Sequence, residues 1–454
     1  MASIKALPLP LATPTQLLLT LKHLSWPCLL DSGAPAEMAG RFSIAVASPT
    51  KQLEVNSRQD LAKLEQLRQV DKTHPSTDEF NHLPFIGGWV GYWSYDAGRL
   101  FETLPQQAAP TIALPLIRMG YYEWALVTDH QLKQTWLVGE YTKQLARELT
   151  QRLNQVINQT TQNTPPPANF KLTQPFISNL SNTQYLSRFN QVQDFLRSGD
   201  TYQVNLAQCF TASYQGDLYQ AWQALRKQIA APFSAFMDFG DATILSLSPE
   251  RFLQTSAGGL IETKPIKGTR PRGKTQQEDQ QLAKALLNSK KDQAENLMIV
   301  DLLRNDLGRV CQPGSIQVPD LFTLESYTNV HHLVSRITGQ LAKGKDSLDL
   351  LKASFPGGSI TGAPKLRAMQ IIDQLEPCQR SIYCGSIGYF DRRGGIDFNI
   401  AIRTFIAYQG QLHISAGGGL VADSKASQEY QETLDKVSRL IRCLEPNFTG
   451  KTKA

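Results

Sequence analysis

The chain predicts an α+β fold built on antiparallel sheets, and three observations carry that expectation. Strand-like stretches come in groups, as at 383–390, 396–407 and 411–416, while stretches with helical spacing form blocks of their own at 143–159, 182–198 and 276–309. Strict strand–helix alternation, the mark of a parallel sheet, is missing. A length of 454 residues with 41% hydrophobic and 19% charged content is that of a soluble globular chain of two or three domains, or of one unusually large body.

In chain order, Leu29-Leu-Asp-Ser-Gly33 closes an apolar run with a turn, and 41–47 alternates like a strand. Residues 54–69 read as a polar helix with leucines at 61, 64 and 67. The run 85–95 reads as a glycine-bearing strand whose glycines permit close backbone approach. Strands are expected at 120–127 and 134–138, then the amphipathic helix 143–159. The proline-rich polar run 161–169 is the best boundary, dividing an amino-terminal region 1–160 from a second region 170–448. Beyond it, strands are expected at 200–208, 233–236 and 242–247. The glycine loop 355–365 feeds a helix started by Pro364, and Gly417-Gly-Gly419 reads as a turn before a last helix at 424–444.

The net charge of +6 suits an anionic small substrate, and no long Lys/Arg block supports nucleic-acid binding. Six scattered cysteines without a CxxC pair argue against a zinc site or a disulfide framework and for a reducing, cytoplasmic location. No apolar run approaches membrane-span length, and the amino terminus lacks the pattern of a signal peptide.

Chemistry concentrates in a few places. Pro265 and Pro271 stiffen the segment around Lys267, and Gly268 lets a backbone or ligand come close. Taken alone the segment reads first as a basic loop, and second as a presented lysine that burial would turn into a nucleophile. Glu429, Glu432 and Lys436 share one helical face, and Asp292 and Glu295 lie one turn apart on another helix. Such pairs are either solvated faces or oxygen donors for Mg²⁺. Arg403, expected within a strand 396–407, is either a substrate-carboxylate partner or half of a structural ion pair. Of His331 and His332, one is expected to point inward. The 355–365 loop departs from a phosphate loop because Ala363-Pro364 separates its lysine from the second glycine.

Ser248-Pro-Glu-Arg-Phe252, Pro265-Ile-Lys-Gly-Thr269, Ala294-Glu-Asn through Asn305-Asp306, the 355–365 loop, Cys384-Gly-Ser-Ile-Gly-Tyr389 and Ala416-Gly-Gly-Gly419 occur in the order found in chorismate-utilising enzymes. Over nearly its whole length the chain resembles that family. The resemblance implies two packed, mainly antiparallel β-sheets with helices outside and the amino-terminal region wrapped into the same body. Position 267 carries lysine, as in the family's aminodeoxychorismate synthases, where the similar anthranilate synthases carry alanine. The implied activity is transfer of an amino group to chorismate, through a covalent adduct of Lys267 at C2, giving 4-amino-4-deoxychorismate on the way to p-aminobenzoate and folate.

By the same resemblance, Glu250 is the proton donor, and Glu295 and Glu432 ligate Mg²⁺, with Glu429 and Asp292 reaching it through water. Gly418, Gly419 and Lys436 bind the ring carboxylate; Arg403 and Tyr389 take the enolpyruvyl carboxylate; Thr269 and His332 complete the substrate site. Gln203 stands where isochorismate- and salicylate-forming relatives have a water-activating lysine, which disfavours those activities. Ser32, Ala39, Gly40, Arg41, Phe42, Pro232, Phe233 and Ser234 match an amino-acid pocket that holds tryptophan in relatives. The cysteines lack the glycines of a nucleophile elbow, so no glutaminase is expected in the chain, and a glutamine amidotransferase subunit is implied as the ammonia source.

Overall fold

The glycine-bearing run after Phe85 becomes an inner strand. Gly88–Trp93 lies between Ser386–Asp391 and Ile117–Tyr122, antiparallel to both. Its partners come from opposite ends of the sequence, which sets the theme of the architecture. The computed structural model describes residues 4–33, 40–68, 80–161, 170–327 and 330–450. Most of the proline-rich run, 162–169, lies outside these residues.

Two antiparallel sheets organise the described residues. The first runs in the order Lys5–Leu9, Gln134–Gly139, Trp124–Asp129, Phe42–Val46, Cys28–Asp31, Phe233–Asp238, Ala242–Ser248, Thr404–Tyr408, Gln411–Leu420, Gln203–Gln215, Ile177–Ser178. The second runs Ile266–Pro271, Val330–Gln340, Leu260–Thr263, Arg251–Thr255, Ile396–Asn399, Ser386–Asp391, Gly88–Trp93, Ile117–Tyr122, Lys51–Val55. Strands from before and after the proline-rich run therefore pair directly in both sheets, as at Ala235↔Leu30 and Gly388↔Gly91. Apolar side chains of both sheets meet in a core that includes Val127, Met237, Tyr92 and Tyr122, while Phe405 of the first sheet packs with the helix residue Trp222 in another, all fully buried. Burial of such surface at roughly 25 cal/mol per Å² is the main drive for this arrangement. Among the described residues, no helix is long and apolar enough to cross a membrane.

Several local expectations need correction. The stretch 54–69 divides between the strand Lys51–Val55 and a 3-10 helix, Arg58–Arg68. The region 276–309 is two helices, Gln276–Leu287 and Lys290–Gly308, because Ser289 leaves helical geometry to cap the second by accepting from the Asp292 amide. The strand expected over 396–407 is broken into Ile396–Asn399 and Thr404–Tyr408. Gly417-Gly-Gly419 is no turn: it continues the strand Gln411–Leu420 opposite Asn205–Ala207. His331 and His332 are both buried rather than one of them.

Candidate active site

Ile266–Pro271 would carry Lys267 along a regular ladder, but its register against Val330–Gln340 shifts between Ile266 and Thr269. Lys267 and Gly268 fall in that irregularity, which re-aims a side chain as β-bulges do. At Gly268 φ is +82°, and a Cβ there would stand 2.9 Å from Asp292 Cγ, so only glycine lets the segment lie against the helix Lys290–Gly308. Lys267 is thereby presented, half-buried, to a cavity of about 570 Å³.

Eleven of the residues expected for catalysis, substrate or metal line this one cavity: Lys267, Glu250, Arg403, Gly419, Lys436, Thr269, His332, Glu295, Glu432, Glu429 and Asp292. Lys267 Nζ donates to the Ser359 carbonyl at 3.0 Å, and the Ser359 hydroxyl donates to Glu250 Oε1 at 2.8 Å. One residue thus touches both side chains. Burial pulls Lys267 below the usual lysine range, outweighing the attraction of Glu250 and Glu295. Burial likewise pushes Glu250 above the usual carboxyl range, against the Ser359 hydrogen bond and the Lys267 charge. Both shifts favour the neutral forms, an amine beside a carboxylic acid.

Arg403 occupies the break between two strands with φ of +52°, a left-handed conformation uncommon for a residue with a side chain. Its carbonyl accepts from the Leu247 amide, while its guanidinium makes no ion pair among the described residues. An unpaired guanidinium held in a strained backbone at a cavity wall is what an anion site requires. His332 is held low, to about 4, by burial, and its Nδ1 shares a hydrogen bond with the Thr269 hydroxyl at 2.9 Å.

The carboxylates arrive on two helices. Ala426–Arg442 presents Glu429 and Glu432, and Lys290–Gly308 presents Asp292 and Glu295. Gly418 lies beneath them: a Cβ there would meet Glu429 Oε2 at 3.0 Å. Cations share the charge, Lys436 on Glu432 at 2.7 Å, Arg270 on Asp292 at 2.8 Å and Lys291 near Glu295 at 3.9 Å. Burial raises Glu295 and Glu429 above the ordinary range, against the pull of the neighbouring lysines. These hard oxygen donors match Mg²⁺ in kind. Among the described residues, no three His, Cys, Asp or Glu side chains stand close enough to form a closed metal site.

Tyr389 is misplaced by the sequence reading. It lines a second cavity of about 300 Å³, packed edge-on against Phe85, and not the cavity of Lys267. That second cavity gathers Ser32, Arg41, Phe42, Pro232, Phe233 and Ser234 as expected, together with Arg251, Asp397 and Asn399. Gly40 is buried but does not line it, and Ala39 lies outside the described residues. Gln203 is buried behind Gly419, where a Cβ would collide with its Nε2 at 2.1 Å.

Sequence reasoning missed Ser359, Lys291, Ser415 and Asn205 in the first cavity. Ser359 had a signal, a hydroxyl within the quoted glycine loop. Asn205 had none, yet its Oδ1 is buried without a partner in the wall.

The profile of the family described as chorismate binding enzyme matches residues 27–442. Aminodeoxychorismate synthase component 1 of Salmonella typhimurium is 48% identical over 438 residues, 93% of this chain and 94% of that protein. The protein of the same description from Escherichia coli (strain K12) is 47% identical, covering 94% of each. The crystal structure of anthranilate synthase component I from Streptococcus pneumoniae TIGR4 superposes with a TM-score of 0.77 at 32% identity, covering 88% of this chain and 92% of that one. The chain belongs to the family of chorismate-binding enzymes.

Proposed function

We propose that the chain converts chorismate and ammonia to 4-amino-4-deoxychorismate, the amination step toward p-aminobenzoate. The observation that carries the reading is Lys267, an amine that burial biases to its neutral form, joined through Ser359 to the acid Glu250. Relatives that share most of the chain's length carry the matching description.

In this reaction the Lys267 nitrogen attacks C2, both ring double bonds shift by one position, and the C4–oxygen bond breaks as Glu250 gives the departing hydroxyl a proton, releasing water. Ammonia then adds at C4, both double bonds shift back, and Lys267 leaves C2 with its bonding electron pair. The surplus proton of the new C4 nitrogen returns to Glu250, so both residues end as they began. Arg403 holds the enolpyruvyl carboxylate. Glu295 and Glu432 would hold Mg²⁺, with Asp292 and Glu429 behind them, and the ion when bound supplies the positive charge that orients the ring carboxylate. Ammonia comes from a separate glutamine amidotransferase subunit, as the component 1 description of the relatives suggests. The second cavity, with Ser32, Phe42 and Tyr389 in its wall, takes an amino acid of tryptophan's kind.

The deciding experiment incubates the pure chain with chorismate, Mg²⁺ and ammonium and weighs the product. A product that retains the enolpyruvyl group and gains nitrogen in place of oxygen is expected; anthranilate with free pyruvate would sink the assignment. For the metal, Glu295→Gln and Glu432→Gln are each expected to raise the Mg²⁺ needed for half-maximal rate roughly tenfold or more, the size typical when a metal site loses a supporting group. An unchanged Mg²⁺ titration in both variants would remove these residues from the site.

A further inference from the structure

The turn Gly358–Ile360 contributes Ser359 and Ile360 to the wall of the cavity of Lys267, and it is clamped from behind. Arg380, a buried cation, donates from Nη1 to the Ile360 carbonyl at 3.0 Å and from Nη2 to the Asn205 carbonyl at 2.8 Å. Glu376 holds that guanidinium in turn, accepting at 2.9 and 2.7 Å, and its Oε1 also accepts from the Ala207 amide at 2.9 Å. The Thr361 hydroxyl shares its proton between the Gly357 and Gly358 carbonyls, at 3.2 Å from each. A buried polar network whose members are bonded to one another is rigid, so the turn is stiff where it meets the reactive pair.

Ser359 is the residue this clamp presents. Its carbonyl accepts from Lys267 Nζ and its hydroxyl donates to Glu250 Oε1, and among the described residues that hydroxyl has no second acceptor. A protonated carboxyl carries its proton on one oxygen and accepts with the other. Donation to Oε1 marks it as the accepting oxygen and leaves Oε2 to bear the proton. An amine with one N–H committed to a carbonyl likewise has fewer directions left for its lone pair. The other groups that act on Glu250 are the Lys267 ammonium, the Arg403 guanidinium, the Cys384 thiol and the Ile266 amide.

We propose that Ser359 is a positioning residue of the reaction: its hydroxyl makes Glu250 deliver its proton from Oε2, and its carbonyl limits the directions open to the Lys267 lone pair. As the Oε2–H bond breaks and the proton passes to the departing hydroxyl, the carboxylate that forms keeps the Ser359 hydrogen bond. This role rests on the proposed amination of chorismate.

The test follows chorismate consumption against pH in wild type, Ser359→Ala and Ser359→Thr, and weighs the product in the same samples. Alanine keeps the backbone carbonyl and removes only the hydroxyl. It should lower kcat about tenfold, as loss of a hydrogen bond to a charged group does, with KM for chorismate within about twofold. The hydroxyl stabilises the carboxylate, so its loss favours the acid, and the descending limb of the profile should move up by about one pH unit. Threonine keeps a hydroxyl and should return rate and limb to near the wild-type values. Because turnover can fall for unrelated reasons, the acid form of Glu250 is also followed without turnover by infrared difference titration, its band assigned by loss in Glu250→Gln. That band should titrate higher in Ser359→Ala than in wild type. A limb and band that stay in place in Ser359→Ala, or a threonine variant no better than alanine, would overturn the role of Ser359. A different product with a displaced limb would instead strike the amination and leave the Ser359–Glu250 relation standing.

Discussion

Replacing Lys267 with alanine is expected to lower the rate of 4-amino-4-deoxychorismate formation by on the order of 10³-fold or more, because the substitution removes the bond-forming atom and leaves binding groups in place. The affinity for chorismate should change far less, since Arg403 and the Glu295 and Glu432 carboxylates remain. Mass spectrometry of the intact wild-type chain with chorismate and no ammonia should show an adduct on Lys267, lost in the variant. Full activity in Lys267→Ala would end the nucleophile assignment.

The same residue makes a stability prediction whose sign follows from its environment. Burial depresses the folded-state value below the 10.5 of an ordinary lysine, so between the two values the unfolded chain binds more protons than the native one. Wild-type stability should therefore rise with pH through that window and decline as pH falls through the folded value. In Lys267→Met this contribution to the slope should vanish, and denaturant unfolding at several pH values measures it.

Glu250→Gln is expected to cost about 10²–10⁴ in kcat with little effect on KM, the usual contribution of a general acid. Glutamine keeps the shape and can still accept from the Ser359 hydroxyl, so the geometry should survive while the proton is lost. Burial places Glu250 above its ordinary 4.5, and the wild-type rate should fall as pH rises through that elevated value. The variant should lose this descending limb. A variant retaining the limb would assign the proton to another group. Lys267 and Glu250 interact across Ser359, so the observed limbs belong to the pair.

Most of this site was legible because its chemistry is local in sequence. The prolines around Lys267 and the helical spacing of Glu429 and Glu432 announce themselves. What escaped depends on partners that a single strand does not reveal. The register shift that turns Lys267 inward is a relation to Val330–Gln340, and no residue within 262–272 encodes it alone. Arg403 was read as strand because its neighbours are apolar and β-branched, whereas it adopts a positive φ without the glycine that normally signals one. The glycines 417–419 gave a turn signal, yet their use is to remove Cβ atoms where Asn205, Glu429 and Gln203 crowd the strand. Tyr389 was placed by resemblance to a substrate position, and the packing of its strand sends it to the second cavity instead. Both sheets are assembled from sequence-distant strands, so their order could come only from the resemblance or the structure.

Glu250 and Arg251 are neighbours, yet the first lines the cavity of Lys267 and the second lines the cavity of Ser32 and Phe42. Glu250 directly precedes the strand Arg251–Thr255 and its carbonyl accepts from the Ile400 amide, so a slip of one residue against Ile396–Asn399 would displace both side chains. In one direction the slip would set the Arg251 guanidinium where the Glu250 carboxyl stands, in the cavity of Lys267 and Arg403. This stretch should therefore reject any change in its length. A scan of single-residue insertions and deletions would find both cavities failing together here, a shared fragility that ties their evolution to one another.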